Sequence, residues 1–286
     1  MDFPNYFADA EADFEDSKFV IFGVPYDRTS TFRKGASKGP YEIRKASWNF
    51  ETFNMITGND LKEVNFHDFG DLDVIDDEAE RMIEKVQHFS KKLISKNKFP
   101  IALGGEHSIT PAIIQSFPKD IYVVSLDAHI DFRKEYENNK FNHACAMRRV
   151  ADYVGVDNVS VLGIRSAEKE EFINAKKDKL SYIDSFEIKK NGIHKALEKT
   201  KNKIKGKKIY LTLDIDVLDL SYAPGTSTPE PFGLSSFDVY NVIKFFSPQL
   251  IGFDVVEVCP SYDYGQTALL AAKFVRFVIE SVYFSK

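Results

Sequence analysis

The chain has 286 residues, 43% of them hydrophobic and 28% charged, with 15 Gly and 11 Pro; this length can bury a substantial core, and this balance excludes disorder, collagen-like repeats and a small disulfide-stapled scaffold. Lys and Arg total 38 against 43 Asp and Glu, a formal charge of −5 without a long basic run, so no nucleic acid is expected as partner, while the mild acidity permits a cationic small molecule. Two cysteines, Cys145 and Cys259, are too few for a disulfide framework and lack zinc-type spacing. The acidic start MDFPNYFADAEADFED lacks the parts of a signal peptide, and no run approaches the roughly 18 apolar residues of a membrane helix, so no membrane and a cytoplasmic location are the expectations.

Short apolar runs predict strands at Phe19–Val24, Ile101–Leu103, Ile121–Leu126, Val159–Ile164, Ile209–Leu213 and Leu250–Val256. Between and after them, helical patterns lie at Asp77–Lys96, Ala167–Ala175, Gly192–Lys203, Ser235–Phe246 and Thr267–Tyr283. Alternation of this kind predicts an α/β protein with a mostly parallel sheet covered on both faces, and ligands in such folds bind beyond the carboxyl ends of the strands. No repeat or flexible linker interrupts the pattern, and the lysine-rich stretch Lys195–Lys208 reads as a solvated helix and turn. Residues 1–286 are therefore read as one domain.

The chemistry-bearing residues follow the strands as that rule requires. After IYVVSL come Asp127, His129 and Asp131, at i, i+2 and i+4, which converge if the strand geometry persists. After IYLTL come Asp214 and Asp216, and after IAL comes Gly104-Gly105-Glu106-His107-Ser108, where two glycines allow a sharp turn and Ser108 or Thr110 can begin a helix with Pro111 in its first turn. Taken alone, an Asp-x-Asp after a strand is more often a turn or cap, and a His after Gly-Gly a satisfied polar residue. At three strand ends together they point to a metal centre. Four aspartates in one cleft repel, and two divalent cations, about 3.5–4 Å apart in two-metal hydrolytic sites, would remove that repulsion. Four carboxylates and two imidazoles without a thiolate favour Mn²⁺, with Zn²⁺, Co²⁺ and Fe²⁺ as further candidates.

The segments GGEHS, SLDAHIDFR, LTLDIDVLDLSYAPGTSTPEPFG and GFDVVEVCPSYD, in that order, with GVPYDRTSTFRKGASKGPYEIR upstream, resemble the signature segments of the ureohydrolases, the arginase and agmatinase family that releases urea from guanidino compounds. The resemblance implies a three-layer α/β/α fold around a mostly parallel eight-stranded sheet, and assembly as a homotrimer or homohexamer. It implies two Mn²⁺ per subunit, one held by His107, Asp127, Asp131 and Asp214, the other by Asp127, His129, Asp214 and Asp216. It matches His143, in FNHACAMRR, to the family's catalytic loop histidine, and Glu257, in VVEVCP, to the acid that holds the substrate guanidinium. Glu106, Phe232 and Cys259 depart from residues common in the family, and none of these changes removes a ligand.

A guanidinium carbon is a poor electrophile, so a dinuclear centre that supplies hydroxide near neutral pH suits the chemistry. Glu257 is expected to orient the cationic substrate, Asp131 to support the tetrahedral intermediate and His143 to carry a proton. Agmatine, cleaved to putrescine and urea in polyamine biosynthesis, is the expected substrate, because APGTSTPEP and Gly163-Ile164-Arg165-Ser166 resemble agmatinases and no carboxylate appears in Arg165-Ser166-Ala167. Aminopropylagmatine, guanidinobutyrate, guanidinopropionate and arginine are the alternatives within the family. Two readings from other classes stand beside these: cysteine-dependent guanidine chemistry through Cys145 beside His143, and a catalytically silent metal-binding member. Tyr26 or Asp27 is expected near the substrate mouth.

Overall fold

The computed structural model describes residues 4–285; the first three residues of the acidic start lie outside the described range. The amino-terminal half runs β1 (Phe19–Val24), α1 (Gly39–Ser47), β2 (Phe66–Asp71), α2 (Ala79–Ser95), β3 (Phe99–Gly104), α3 (Thr110–Ile114), β4 (Ile121–Leu126) and α4 (Ala146–Val154). There follow β5 (Val159–Ile164), α5 (Lys169–Lys177), β6 (Ser181–Asp184), α6 (Ser185–Asn191), α7 (Ile193–Ile204), β7 (Lys208–Asp214), α8 (Ser236–Phe246), β8 (Leu250–Val256) and α9 (Gln266–Phe284). The eight strands form one sheet in the order β2-β1-β3-β8-β7-β4-β5-β6, with every ladder parallel.

Alternate strand residues feed two cores. Phe19 and Ile21 point to the face covered by α1 and α6–α9, whereas Val20, Phe22 and Val24 point to the face covered by α2–α5. This is the expected three-layer α/β/α arrangement, and its strands are continuous apolar runs because both faces are covered. All six strands expected from the sequence are present. The two that were not expected, β2 and β6, are the edges of the sheet. β2 is buried only at Phe66, is part-exposed or exposed from there on, and carries His67, Asp68 and Asp71, and β6 is four residues long, so neither shows an apolar run. α1, α4 and α6 also went unread; Gly39 and Pro40 form the first turn of α1.

Several boundaries have visible physical causes. Ser235 caps α8 and Glu168 caps α5, each in a reciprocal capping box with the third helical residue. Pro111 occupies the first turn of α3 as expected. The lysine-rich α7 exposes its lysines and ends on Lys205 in the left-handed conformation. Among the described residues no helix is long and apolar enough to cross a membrane.

The edge strand β2 is tied to α1 by a buried ion pair. Arg44 reaches Asp68 through Nε (2.7 Å) and Nη2 (2.9 Å), and its Nη1 donates to Asp71 at 2.5 Å. The Arg44 and Asp68 side chains are both out of solvent, so removing the cation alone leaves an uncompensated buried carboxylate. Arg44→Met is expected to cost about 3–5 kcal/mol of stability, read as a lower urea midpoint. A midpoint unchanged within error would show that the pair adds nothing.

Candidate active site

Four neighbouring central strands, β3, β8, β7 and β4, deliver the expected residues at their carboxyl ends. After β3 the chain turns through Gly105, where a Cβ would lie 1.8 Å from the Tyr26 carbonyl oxygen, so only glycine permits this approach. The turn is held by Gly105 N–H donating to Val24 O (2.9 Å) and Glu106 N–H to Tyr26 O (2.8 Å). Glu257 N–H then donates to Gly105 O at 2.7 Å, joining the end of β8 to the same turn. His107 follows, completely buried.

Its Nδ1 lies 3.2 Å from Asp127 Oδ2, 3.2 Å from Asp131 Oδ2 and 3.4 Å from Asp214 Oδ2. His129 Nδ1 lies 2.9 Å from Asp216 Oδ2 and 3.7 Å from Asp127 Oδ1. Two clusters of ligand atoms result, His107-Asp127-Asp214 and Asp127-His129-Asp216, sharing Asp127. All six expected ligands thus meet, with Asp131 joined to the first cluster through His107. Asp214, which the resemblance places with both metals, falls only in the first.

The convergence does not come from a continued strand. β4 ends at Leu126, and Asp131 has φ +48°, so a loop rather than the pleat aims these side chains. Asp214 is the last residue of β7, and its Oδ1 also accepts from Asp216 N–H (2.9 Å), capping the short turn Ile215–Val217. Cap and ligand geometry therefore coexist in one side chain.

These residues fit cations. His107 Nδ1 and Asp127 Oδ2 are buried without a hydrogen-bond partner, a costly arrangement unless something positive lies between them. Burial first, then the neighbouring Asp131 and Asp216, pushes Asp127 up to about 7, and burial with Asp216 and Asp127 raises Asp214 well above the carboxylate range. The charged aspartates hold His129 well above its ordinary value, and His129 in turn draws Asp216 down to about 2 despite its burial.

Beside the clusters is a cavity of about 220 Å³ lined by Asp131, Asp214, His143 and Glu257, with Arg133, Tyr136 and Glu168 among its other wall residues. Glu257 is buried and sits at φ +64°, a conformation that costs a non-glycine residue about 1–3 kcal/mol and persists where the surroundings impose it. Its Oε1 accepts from His107 N–H at 2.7 Å, whereas Oε2 is buried without a well-formed hydrogen bond, the Ser227 hydroxyl lying beside the carboxylate. Burial pushes its carboxyl up to about 7.

A model of the arginase family matches residues 17–279. The chain belongs to the arginase family. It is 36% identical to the agmatinase of Bacillus cereus over 277 residues, 94% of this chain and 93% of that one. It is 34% identical to the N(1)-aminopropylagmatine ureohydrolase of Thermococcus kodakarensis, over 93% and 91% of the two chains. Its structure superposes on the agmatine ureohydrolase of Thermoplasma volcanium with a TM-score of 0.94, at 41% identity, covering 99% of this chain and 96% of that one. This arginase-family chain is thus a ureohydrolase-type hydrolase, and its eight-stranded sheet is the arginase-like α/β fold.

Several residues that serve the site of this arginase-family enzyme escaped the sequence reading. Asp254, completely buried in β8, accepts hydrogen bonds from the hydroxyls of Thr212 (2.5 Å), Tyr210 (2.8 Å) and Thr110 (3.0 Å). Donating its own hydrogen bond to Asp254, Thr212 Oγ1 is placed to accept from His107 Nε2–H at 3.1 Å; despite burial, the aspartates around Nδ1 hold His107 well above its ordinary value, and a bound cation would take the place of the proton there. The signal was present in LIGFDVV, where a carboxylate interrupts a buried strand. Thr212→Val is expected to weaken divalent-cation binding by about 10–100-fold, measured by calorimetric titration of the metal-free protein; unaltered affinity would remove Thr212 from this role. Arg165 donates to the carbonyls of Gly163, Asp216, Val217, Leu218, Glu230 and Pro231, fastening the long segment that carries Asp216.

Other readings change. Tyr26 is core and Asp27 accepts from Gly35 N–H (2.8 Å), so neither lines the cavity; Thr31 does, from the same loop. Glu168 lines the cavity one position beyond the stretch in which no carboxylate was found. Burial pushes the Cys145 thiol up to about 12, which leaves almost no thiolate at neutral pH and removes the basis for cysteine chemistry. Phe232, one of the departures from the family pattern, has φ +66° and is exposed.

Proposed function

We propose that the enzyme hydrolyses agmatine to putrescine and urea with two Mn²⁺, held by His107, Asp127, Asp131 and Asp214 and by Asp127, His129, Asp214 and Asp216. The observation that carries the reading is Glu257: a buried carboxylate in the cavity wall, with one oxygen anchored to His107 N–H and the other without a well-formed hydrogen bond, beside a cluster that fits cations. Such an oxygen suits the N–H donors of a guanidinium through charge-assisted hydrogen bonds. When bound, a pair of divalent cations supplies hydroxide from water at neutral pH.

The protein's own residues do the rest. Glu257 orients the guanidinium, and the buried floor of the cavity excludes competing water. His143 first takes the proton given up by the attacking water and then delivers it to the departing amine, while Asp131 passes the proton of the tetrahedral carbon's new hydroxyl to the same nitrogen. The amine leaves as an ammonium and the remaining carbon as neutral urea, so charge balances.

The cavity wall favours a cationic distal end. Glu168 is held ionised by the backbone N–H groups of Glu170 and Glu171, whereas Arg133 is already paired with Glu171 at 3.4 Å. A substrate ending in an amine meets an anion there, and one ending in a carboxylate does not meet a free cation. The named agmatinase and agmatine ureohydrolase relatives support the same choice, with aminopropylagmatine as the second reading because a relative bears that name. Urea release from agmatine, aminopropylagmatine, guanidinobutyrate and arginine by the Mn²⁺-loaded enzyme is expected to rank agmatine first; arginine first would overturn the assignment, and no urea from any of them with two metals bound would mark a silent member.

We also propose a cytoplasmic homotrimer or homohexamer, supported by exposed apolar side chains such as Met55, Ile56, Phe186, Phe232 and Phe237. Light scattering on the eluting protein reads the subunit number, and a monomer would contradict it.

A further inference from the structure

Glu106 is completely buried next to His107, yet it faces the other way. Its Oε1 accepts from Thr29 Oγ1–H at 2.5 Å and from Ser108 Oγ–H at 2.6 Å, and its Oε2 accepts from Thr29 N–H at 2.7 Å and from Ser30 Oγ–H at 3.5 Å. Burial pushes the Glu106 carboxyl up to about 7; once it is ionised, as at pH 8, its oxygens can only accept, and the single hydroxyl proton of Thr29 is committed to it. Toward His143 the Thr29 hydroxyl oxygen can then only accept. It receives the His143 backbone N–H at 3.0 Å, and the ring Nδ1 lies 3.3 Å away. A ring nitrogen facing an oxygen that has no proton to give must carry the proton itself.

We propose that Thr29 and Glu106 are positioning residues that hold neutral His143 with its proton on Nδ1, leaving Nε2 as the lone-pair nitrogen available to the cavity. The inference rests on the reading above that His143 carries a proton during hydrolysis. The arrangement repeats, in the loops after β1 and β3, the Asp254–Thr212–His107 chain: in each, a buried carboxylate accepts a threonine's hydroxyl hydrogen bond, and the threonine then selects which imidazole nitrogen presents its proton. For His143 that selection opposes free imidazole's preference for a proton on Nε2, so the side chain requires a partner to hold it. A ring locked this way enters each turnover ready to accept at one defined atom.

The test uses the full chain labelled with ¹⁵N-histidine at pH 8, metal-free and reloaded with a diamagnetic divalent cation. Long-range ¹H–¹⁵N spectra distinguish a protonated from a bare ring nitrogen. The chain has six histidines, and the His143 signals are assigned by their loss in His143→Gln. The wild type is expected to show protonated Nδ1 and bare Nε2. Thr29→Val is expected to shift the population to protonated Nε2 and to lower kcat about 10–100-fold, up to the lower bound of a full general acid–base contribution of about 10²–10⁴-fold, with KM changed less than about threefold. Thr29→Ser, which keeps the hydroxyl, is expected to retain the wild-type tautomer and kcat within about threefold.

A wild-type ring protonated on Nε2, or a folded Thr29→Val that keeps both the tautomer and kcat, would overturn the proposal. Should Thr29→Val fail to fold, the wild-type and Thr29→Ser spectra decide it alone. Failure of the underlying reading looks different: His143→Gln would retain near wild-type kcat while the wild-type tautomer stayed as described.

Discussion

Glu257→Gln is expected to lower kcat/KM about 10²–10³-fold, corresponding to about 3–4 kcal/mol of lost interaction, within the range measured when one partner of a buried charge pair is removed. The substitution keeps the shape of the side chain and leaves an oxygen for His107 N–H, now 2.7 Å from Oε1. It replaces Oε2, which lacks a well-formed hydrogen bond, with an amide that donates, so the donors of the substrate meet donors rather than an anion. Because burial already disfavours the ionised carboxylate, the variant should fold at least as stably as the wild type and bind both cations. That combination separates substrate recognition from structural damage: wild-type melting temperature and metal content with a large catalytic loss. A loss of less than about fivefold would show that Glu257 does not hold the guanidinium.

Asp127→Asn is expected to remove both cations rather than one. Asp127 Oδ2 faces His107 Nδ1 and its Oδ1 lies toward His129, so a single substitution alters both clusters. Outer-shell partners alone contribute about 10–100-fold in metal affinity, and loss of a shared ligand should exceed that; equilibrium dialysis should find fewer than one metal per chain and turnover near background. Retention of two metals would refute the shared-ligand geometry. The metal-free protein behaves in the opposite sense. Asp127 and Asp214 hold protons more tightly folded than unfolded, so the folded state binds more protons, and stability without metal should rise as pH falls from 8 to 5. In Asp127→Asn part of that slope should vanish, because the group whose ionisation opposes folding is gone. A metal-free melting temperature independent of pH in both proteins would contradict this account.

The six central strands were legible because each is buried on both faces and reads as an apolar run; β2 and β6, the edges of the sheet, keep polar residues and do not. The metal-ligand candidates were legible for a related reason. His107, Asp127, His129, Asp131, Asp214 and Asp216 stand at or just beyond the ends of buried strands, where charged residues need a purpose. Assigning His143 and Glu257 required likeness to a family, since a lone loop histidine and a lone glutamate carry no spacing signal.

Residue order along the chain determined the alternation of strand and helix, the strand-end placement of the ligands and the type of chemistry they suit. Only the tertiary structure decided that β3, β8, β7 and β4 lie side by side, that Asp131 reaches His107 through a left-handed loop residue, and that Thr212 and Thr29 stand between buried acids and the two histidines. The physical reason is that a threonine hydroxyl has no direction in a sequence. Its single proton is allotted only when a carboxylate more than 40 positions away, Asp254 for Thr212 and Glu106 for Thr29, is brought within hydrogen-bond distance by strand packing.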